Sequence, residues 1–263
     1  MQKRRVAAPV SFMVFVLATC STVSDAPRPT ADAFPAPIVF DEALPDRQIQ
    51  PAIALPALEG PGRLVARPYT PFLWTWRDPG PSAHVAFRLA GDNPFGQRMS
   101  FLVEDVFRDR EGIDWLRIRT GEHPNGAQAW IRARDARVSP ISQRIVVDLS
   151  ARRLVRYVRG EVRTKLSVAI GDQDTPTVPG RYFVWARVRY FNPAGPYGKL
   201  ALGLSGFSRV VRYGPSPGRL AIHGTVDPSD RGKSISLGCV RVYNAQIGRL
   251  WNVPMGTPVI IRR

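Results

Sequence analysis

Between residues 63 and 263 the apolar residues come in short alternating runs, and Gly or Pro cuts each off before a helical period can establish itself. That pattern restricts the fold more than any other feature. Arg63–Arg67, Ser100–Val106, Trp115–Arg119, Ala129–Ala133, Ile145–Leu149, Leu154–Val158, Val162–Ile170, Tyr182–Tyr190 and Val259–Ile261 all read as strands. Pro124-Asn125-Gly126 and Arg159-Gly160 supply tight turns. One short helix is expected over Ala245–Trp251, capped by Asn244 and closed by Pro254 and Gly256. Phe191–Ser208, rich in Gly and Pro, reads as a long loop of the kind that walls a binding site. The expected fold is therefore mainly β, a sandwich or barrel with a short helix. With 263 residues, 44% of them hydrophobic, there is material for two packed units, 63–139 and 143–263.

The chain before residue 63 has a different character. Lys3-Arg4-Arg5 precedes a short apolar core, Val10–Ala18, and residues 1–20 read as an export signal too short to be a permanent span. Leu17-Ala18-Thr19-Cys20 resembles a lipobox, whose Cys20 would be lipidated and attach the protein to the membrane. Ordinary cleavage after Ala26 is the alternative. Either route places the mature protein outside the cytoplasm. Residues 21–62, broken by Pro27, Pro29, Pro35, Pro37 and Pro61, read as a linker.

Export gives the cysteines their meaning. The chain has two, and once Cys20 is lipidated or removed Cys239 has no partner within it. A single thiol in an oxidising compartment is expected to be kept for chemistry; an inert buried Cys is the competing reading. A thiol needs a base to become a nucleophile, and His223, one of three histidines, lies sixteen positions before it. Cys239 follows Gly238, whose lack of a side chain lets a substrate oxygen approach the backbone. His84 and His123 have no such company and read as surface or turn residues. Asp227 and Asp230 read as a solvated turn.

The residues around the thiol carry a resemblance. His223-Gly224, then Ser236, Gly238, Cys239 and Arg241, are similar to the motif of the L,D-transpeptidase family. The likeness extends through Arg144–Ser150, Thr175–Gly180 and Gly256–Val259. Leu237 departs from it, standing where many members have a second His. The resemblance implies an L,D-transpeptidase-type β-fold over 143–263. Cys239 would be nucleophile and His223 base, with His223 oriented by the Gly224 carbonyl. The N–H groups of Gly238 and Cys239 would receive the oxyanion. Ser236, Arg241 and Tyr197 would complete the substrate site. It further implies transfer from peptidoglycan stem peptides to an acceptor amine, acylation by carbapenem-type inhibitors, and no metal or organic cofactor. A thiol enzyme that trims stems, or a wall-binding module with a disabled site, are the alternatives. Residues 63–139, with Trp115, Pro124-Asn125-Gly126 and Trp130, resemble the Src-homology-3-like modules that precede such domains. Both Trp side chains are expected in its core. The excess charge falls unevenly: residues 143–263 hold 20 Lys and Arg against 6 Asp and Glu, a net +14. An acidic wall polymer suits that field, and an exported chain rarely meets nucleic acid.

Overall fold

Alternation puts every second side chain of a strand on one face, so each run needs neighbours that share its apolar side. The computed structural model describes residues 64–263; the expected export signal, Cys20 and the expected linker lie outside the described residues. The first seven strands are β1 (Leu64–Pro68), β2 (Phe72–Trp76), β3 (Val85–Ala90), β4 (Phe101–Arg108), β5 (Asp114–Arg119), β6 (Gln128–Arg132) and β7 (Ala136–Pro140). They form one antiparallel sheet in the order β3-β2-β6-β5-β4-β1-β7. Leu64, Phe101, Leu102, Leu116, Ile118 and Ile131 fill its core. Trp115 is buried, as expected, its ring N–H donating to Asp109 at 2.8 Å, whereas Trp130 is half-buried beside Phe107.

The remaining strands are β8 (Gln143–Asp148), β9 (Arg153–Val158), β10 (Glu161–Ser167), β11 (Ile170–Gly171), β12 (Gly180–Arg189), β13 (Leu200–Tyr213), β14 (Ser216–Thr225), β15 (Ser234–Ser236), β16 (Val240–Tyr243) and β17 (Pro258–Arg262). Eight of them make a second sheet, β10-β9-β8-β17-β12-β13-β14-β16, while β11 and β15 pair separately. The pairings β17–β8 and β14–β16 are parallel. One four-residue helix, α1 (Asn244–Ile247), follows β16. The fold is mainly β, with a single short α-helix among the described residues.

One expectation fails here. Leu200–Tyr213 is the long strand β13, and only the stretch between β12 and β13 is loop. The glycines that suggested a loop are sites of close approach. Gly206 lies against the Tyr182 ring so tightly that a Cβ would overlap it, and a Cβ on Gly203 would touch Ala186 and Trp185. Strands β2, β3 and β7 were likewise not expected. β2 and β3 carry Phe72, Trp74 and Phe87 exposed, so no apolar face announces them.

The two sheets share a seam. Phe183 of β12 is fully buried in the first core, edge-on to Phe101 with ring centres 6.3 Å apart. The Asn125 side chain accepts from the Phe207 N–H at 2.7 Å and donates to the Phe207 carbonyl at 2.8 Å, where the β13–β14 register slips. The turn expected only to reverse the chain thus also docks onto the second sheet. Arg219 donates to the carbonyls of Gly121 and Leu204 and covers the Trp185 ring at 3.8 Å. Burial pulls its pKa down to about 10.

Candidate active site

Strand pairing brings the His and Cys segments together. β14 delivers His223, and parallel to it β16 begins one residue after Cys239. Their register sets Ile222 against Val240 and His223 against Arg241. Cys239 therefore enters beside Ala221, whose backbone forms a hydrogen bond with the thiol. Tyr197 closes the arrangement: its ring meets the His223 imidazole edge-on at 5.2 Å, stacks on Tyr190 at 5.5 Å, and feels the charge of a Cys239 thiolate.

The protonation pattern follows from one bond. His223 Nδ1 lies 2.8 Å from the Gly224 carbonyl oxygen. A carbonyl can only accept, so Nδ1 carries the proton and Nε2 keeps its lone pair. Burial then holds His223 neutral, pushing its pKa down to about 4; the Gly224 bond and Asp230 oppose that shift, and Arg241 adds to it. Burial also pushes the Cys239 thiol above its usual range, against the pull of the Ala221 bond and the Arg241 charge. Near neutral pH the site therefore rests as a protonated thiol and a neutral imidazole whose Nε2 keeps its lone pair.

Gly224 is constrained three times over. Its carbonyl holds His223, and its N–H donates to the Tyr197 carbonyl at 3.0 Å. Its Cα faces the Asn244 side chain so closely that a Cβ would overlap Asn244 Oδ1. Asn244 was expected to cap the helix, but the cap position is Tyr243, and the Asn244 side chain turns away from α1. Its oxygen accepts from the Lys199 N–H at 3.0 Å and its nitrogen donates to the Pro193 carbonyl at 2.8 Å. It ties the β12–β13 loop, and with it Tyr197, to the His-Gly turn. Nothing in the sequence distinguishes this from capping, since Asn serves both uses.

The Cys239 turn is built from its own polar groups. Ser236, expected to meet substrate, is buried; its hydroxyl donates to the Cys239 carbonyl and accepts from the Gly238 N–H at 3.2 Å. It shapes the turn instead. For the same reason the Gly238 N–H, expected in the oxyanion site, is already engaged in this state. Gly238 adopts φ of 103°, which only Gly takes without strain. Behind the turn, Thr175 Oγ1 donates to the Ser236 carbonyl at 2.9 Å, which accounts for the Thr175–Gly180 segment. Leu237 stands exposed at the rim.

Asp230 was read as a solvated turn residue, and it is buried. Asp227 caps the turn by accepting from the Ser229 N–H, which swings Asp230 inward to accept from Thr225 Oγ1 at 2.9 Å and pair with Arg241 at 3.3 Å. Arg241 thus steadies the loop between His223 and Cys239. The signal was present in the Asp-Pro-Ser-Asp spacing, but its direction depends on which strand lies beneath. Among the described residues no group of three or more His, Cys, Asp or Glu is arranged to hold a metal ion.

A family model for the L,D-transpeptidase (YkuD) catalytic domain matches residues 142–261. YkuD of Bacillus subtilis (strain 168) is 35% identical over 124 residues, covering 47% of this chain and 68% of that protein. The chain belongs to the L,D-transpeptidase family. Among solved structures, a crystal structure of an Enterococcus faecium L,D-transpeptidase is 19% identical. The match covers 48% of this chain and 56% of that one, with a TM-score of 0.37. The catalytic domain of an E. faecium L,D-transpeptidase acylated by ertapenem is 22% identical, with 47% and 99% covered and a TM-score of 0.34. All of the YkuD-matched region lies in the second sheet and its turns; residues 64–140 fall outside it.

Proposed function

We propose that this family member is an exported L,D-transpeptidase that forms 3→3 peptidoglycan crosslinks through a Cys239 acyl-enzyme. The observation that carries the proposal is the His223 Nδ1–Gly224 bond, which leaves Nε2 as the free base beside the Cys239 segment. His223 Nε2 takes the Cys239 proton as the sulfur attacks the carbonyl before the terminal D-Ala of a stem tetrapeptide. The Cys239 N–H donates to the developing oxyanion, and the Gly238 N–H joins it if Ser236 releases its long bond. Collapse breaks the C–N bond; D-Ala leaves with the proton from His223, and a thioester remains. An acceptor amine then attacks, losing its proton to His223, and the thiol is regenerated. Tyr197 and Leu237 flank the entrance. Residues 63–139 act as a Src-homology-3-like module, residues 1–20 direct export, and Cys20 is the lipid attachment point.

Intact-mass measurement of the protein with a donor tetrapeptide tests this directly. The expected product is one thioester per chain, at Cys239, discharged to an amine in preference to water. Discharge to water alone would make the protein a stem-trimming enzyme. No adduct with any donor would leave a wall-binding module. A carbapenem is expected to give a single adduct on the same residue.

A further inference from the structure

A second polar site lies on the seam, remote in sequence from the Cys–His pair. Arg67 of β1 and Arg137 of β7 stand directly opposite each other in the antiparallel register. Neighbouring strands are only about 5 Å apart, and like charges placed this way repel. Neither guanidinium has a hydrogen bond or ion pair among the described residues, and both are exposed. Other arginines of the first sheet are occupied: Arg98, Arg108, Arg117 and Arg119 each meet a carboxylate, and Arg88 and Arg132 lie over aromatic rings.

The pair opens onto a cavity of about 520 Å³. Arg187 of β12 also lines it, its guanidinium held over Trp251 at 4.9 Å with Nη2 donating to the Trp251 carbonyl at 2.8 Å, and its Nε buried without a partner among the described residues. The hydroxyl-bearing Ser100, Ser139 and Ser142, with Gln143, complete the polar lining, which contains no Asp or Glu. The wall is rigid where the sheets touch: Gly256 packs so closely on Val65 and Ser100 that a Cβ would come within 2.9 Å of both.

We propose that this cavity binds a phosphate group. Three guanidiniums and three hydroxyls offer donors in number and charge that one carboxylate would not use. A phosphate presents three or four oxygens and accepts the fork of Arg in pairs. The volume exceeds a bare phosphate and admits the alcohol it esterifies. Such a group belongs either to a phosphodiester polymer or to a lipid headgroup. The site would hold the chain on that polyanion while the Cys–His cleft, built from other residues, stays free.

The test uses the full chain with two probes: a soluble glycerol-phosphate oligomer, and phosphatidylglycerol vesicles with phosphatidylcholine vesicles as blank. Arg67→Gln with Arg137→Gln is expected to lower affinity for one probe by at least about tenfold. Arg110→Gln with Arg153→Gln removes the same charge from exposed positions elsewhere and is expected to cost less than about twofold. Loss on the oligomer assigns the polymer, and loss on the vesicles assigns the headgroup. Equal loss in both double variants, retained binding in the first, or no binding to either probe would overturn the site. Carbapenem acylation is read in the same samples and is expected to be unchanged. Failure of this proposal is therefore distinct from failure of the acyl-transfer reading.

Discussion

The two sheets handle positive charge differently. In the first, arginines lie across from acids: Arg108 meets Asp114 at 2.7 Å, Arg117 meets Asp105 at 2.9 Å, and Arg119 meets Glu104. In the second, with 20 basic residues and 6 acidic, Arg241 and Arg262 meet the acids Asp230 and Asp148, while others find aromatic faces and carbonyls. Arg144 covers Tyr157, Arg189 covers Trp251, and Arg156 donates to Gln143 and to the Arg249 carbonyl. Where the second sheet does spend a buried carboxylate, it is Asp230, against Arg241 and beside His223. Acids in the first sheet neutralise a scaffold. The buried acid in the second steadies the loop between His223 and Cys239.

That division is broken most severely at the thiol. Cys239→Ala is expected to abolish the acyl adduct by mass while the melting temperature holds, because a half-buried thiol contributes little packing. An adduct surviving in this variant would remove the second sheet's claim to the chemistry. His223→Ala comes next, with an acylation rate lowered by about 10²–10⁴-fold near neutrality. Its residual rate should climb with pH as the thiol, raised above its usual range, ionises. In the natural protein the rate should persist well below pH 6.5 and fail only near 4, where His223 takes its proton. An acid limb near 6.5 would contradict the buried, neutral imidazole.

The same shift predicts a stability signature. Unfolded His223 binds a proton below about 6.5 and the folded residue only below about 4, so the unfolded chain holds more protons between these values. Stability should therefore fall as pH drops through that window, by up to roughly 3 kcal/mol. His223→Gln should flatten the slope measured by denaturant titration.

Smaller effects separate positioning from scaffold. Asn244→Ala frees the Lys199 N–H and the Pro193 carbonyl, and is expected to cost about 1–2 kcal/mol and slow acylation by about tenfold. Restoration of the rate by Asp, which keeps the acceptor for Lys199, would show that the loop tether matters more than packing. At the bottom of the scale, Arg117→Gln should change stability by less than about 1 kcal/mol and acylation not at all, since its ion pair is largely exposed. A clear loss of acylation there would mean that the first sheet is more than scaffold.

Much of this protein was decided locally. Alternation in Trp115–Arg119 or Leu154–Val158 is enough to specify strands, because period-two burial depends only on neighbouring residues. That the His223 and Cys239 segments belong together was also legible, and the parallel β14–β16 pairing sets them side by side. What stayed illegible depends on contacts distant in sequence. Gly203 and Gly206 look like loop and are strand, because what matters is the aromatic side chain lying across them. Asn244 looks like a cap and is a tether, because its partners lie some fifty residues away. Asp230 and the Arg67–Arg137 pair owe their meaning to which strand runs alongside, and strand order is set by burial over the whole sheet. Residue type and spacing determined the family to which the chain belongs; only tertiary packing decided which polar groups around His223 and Cys239 are engaged and which are left free.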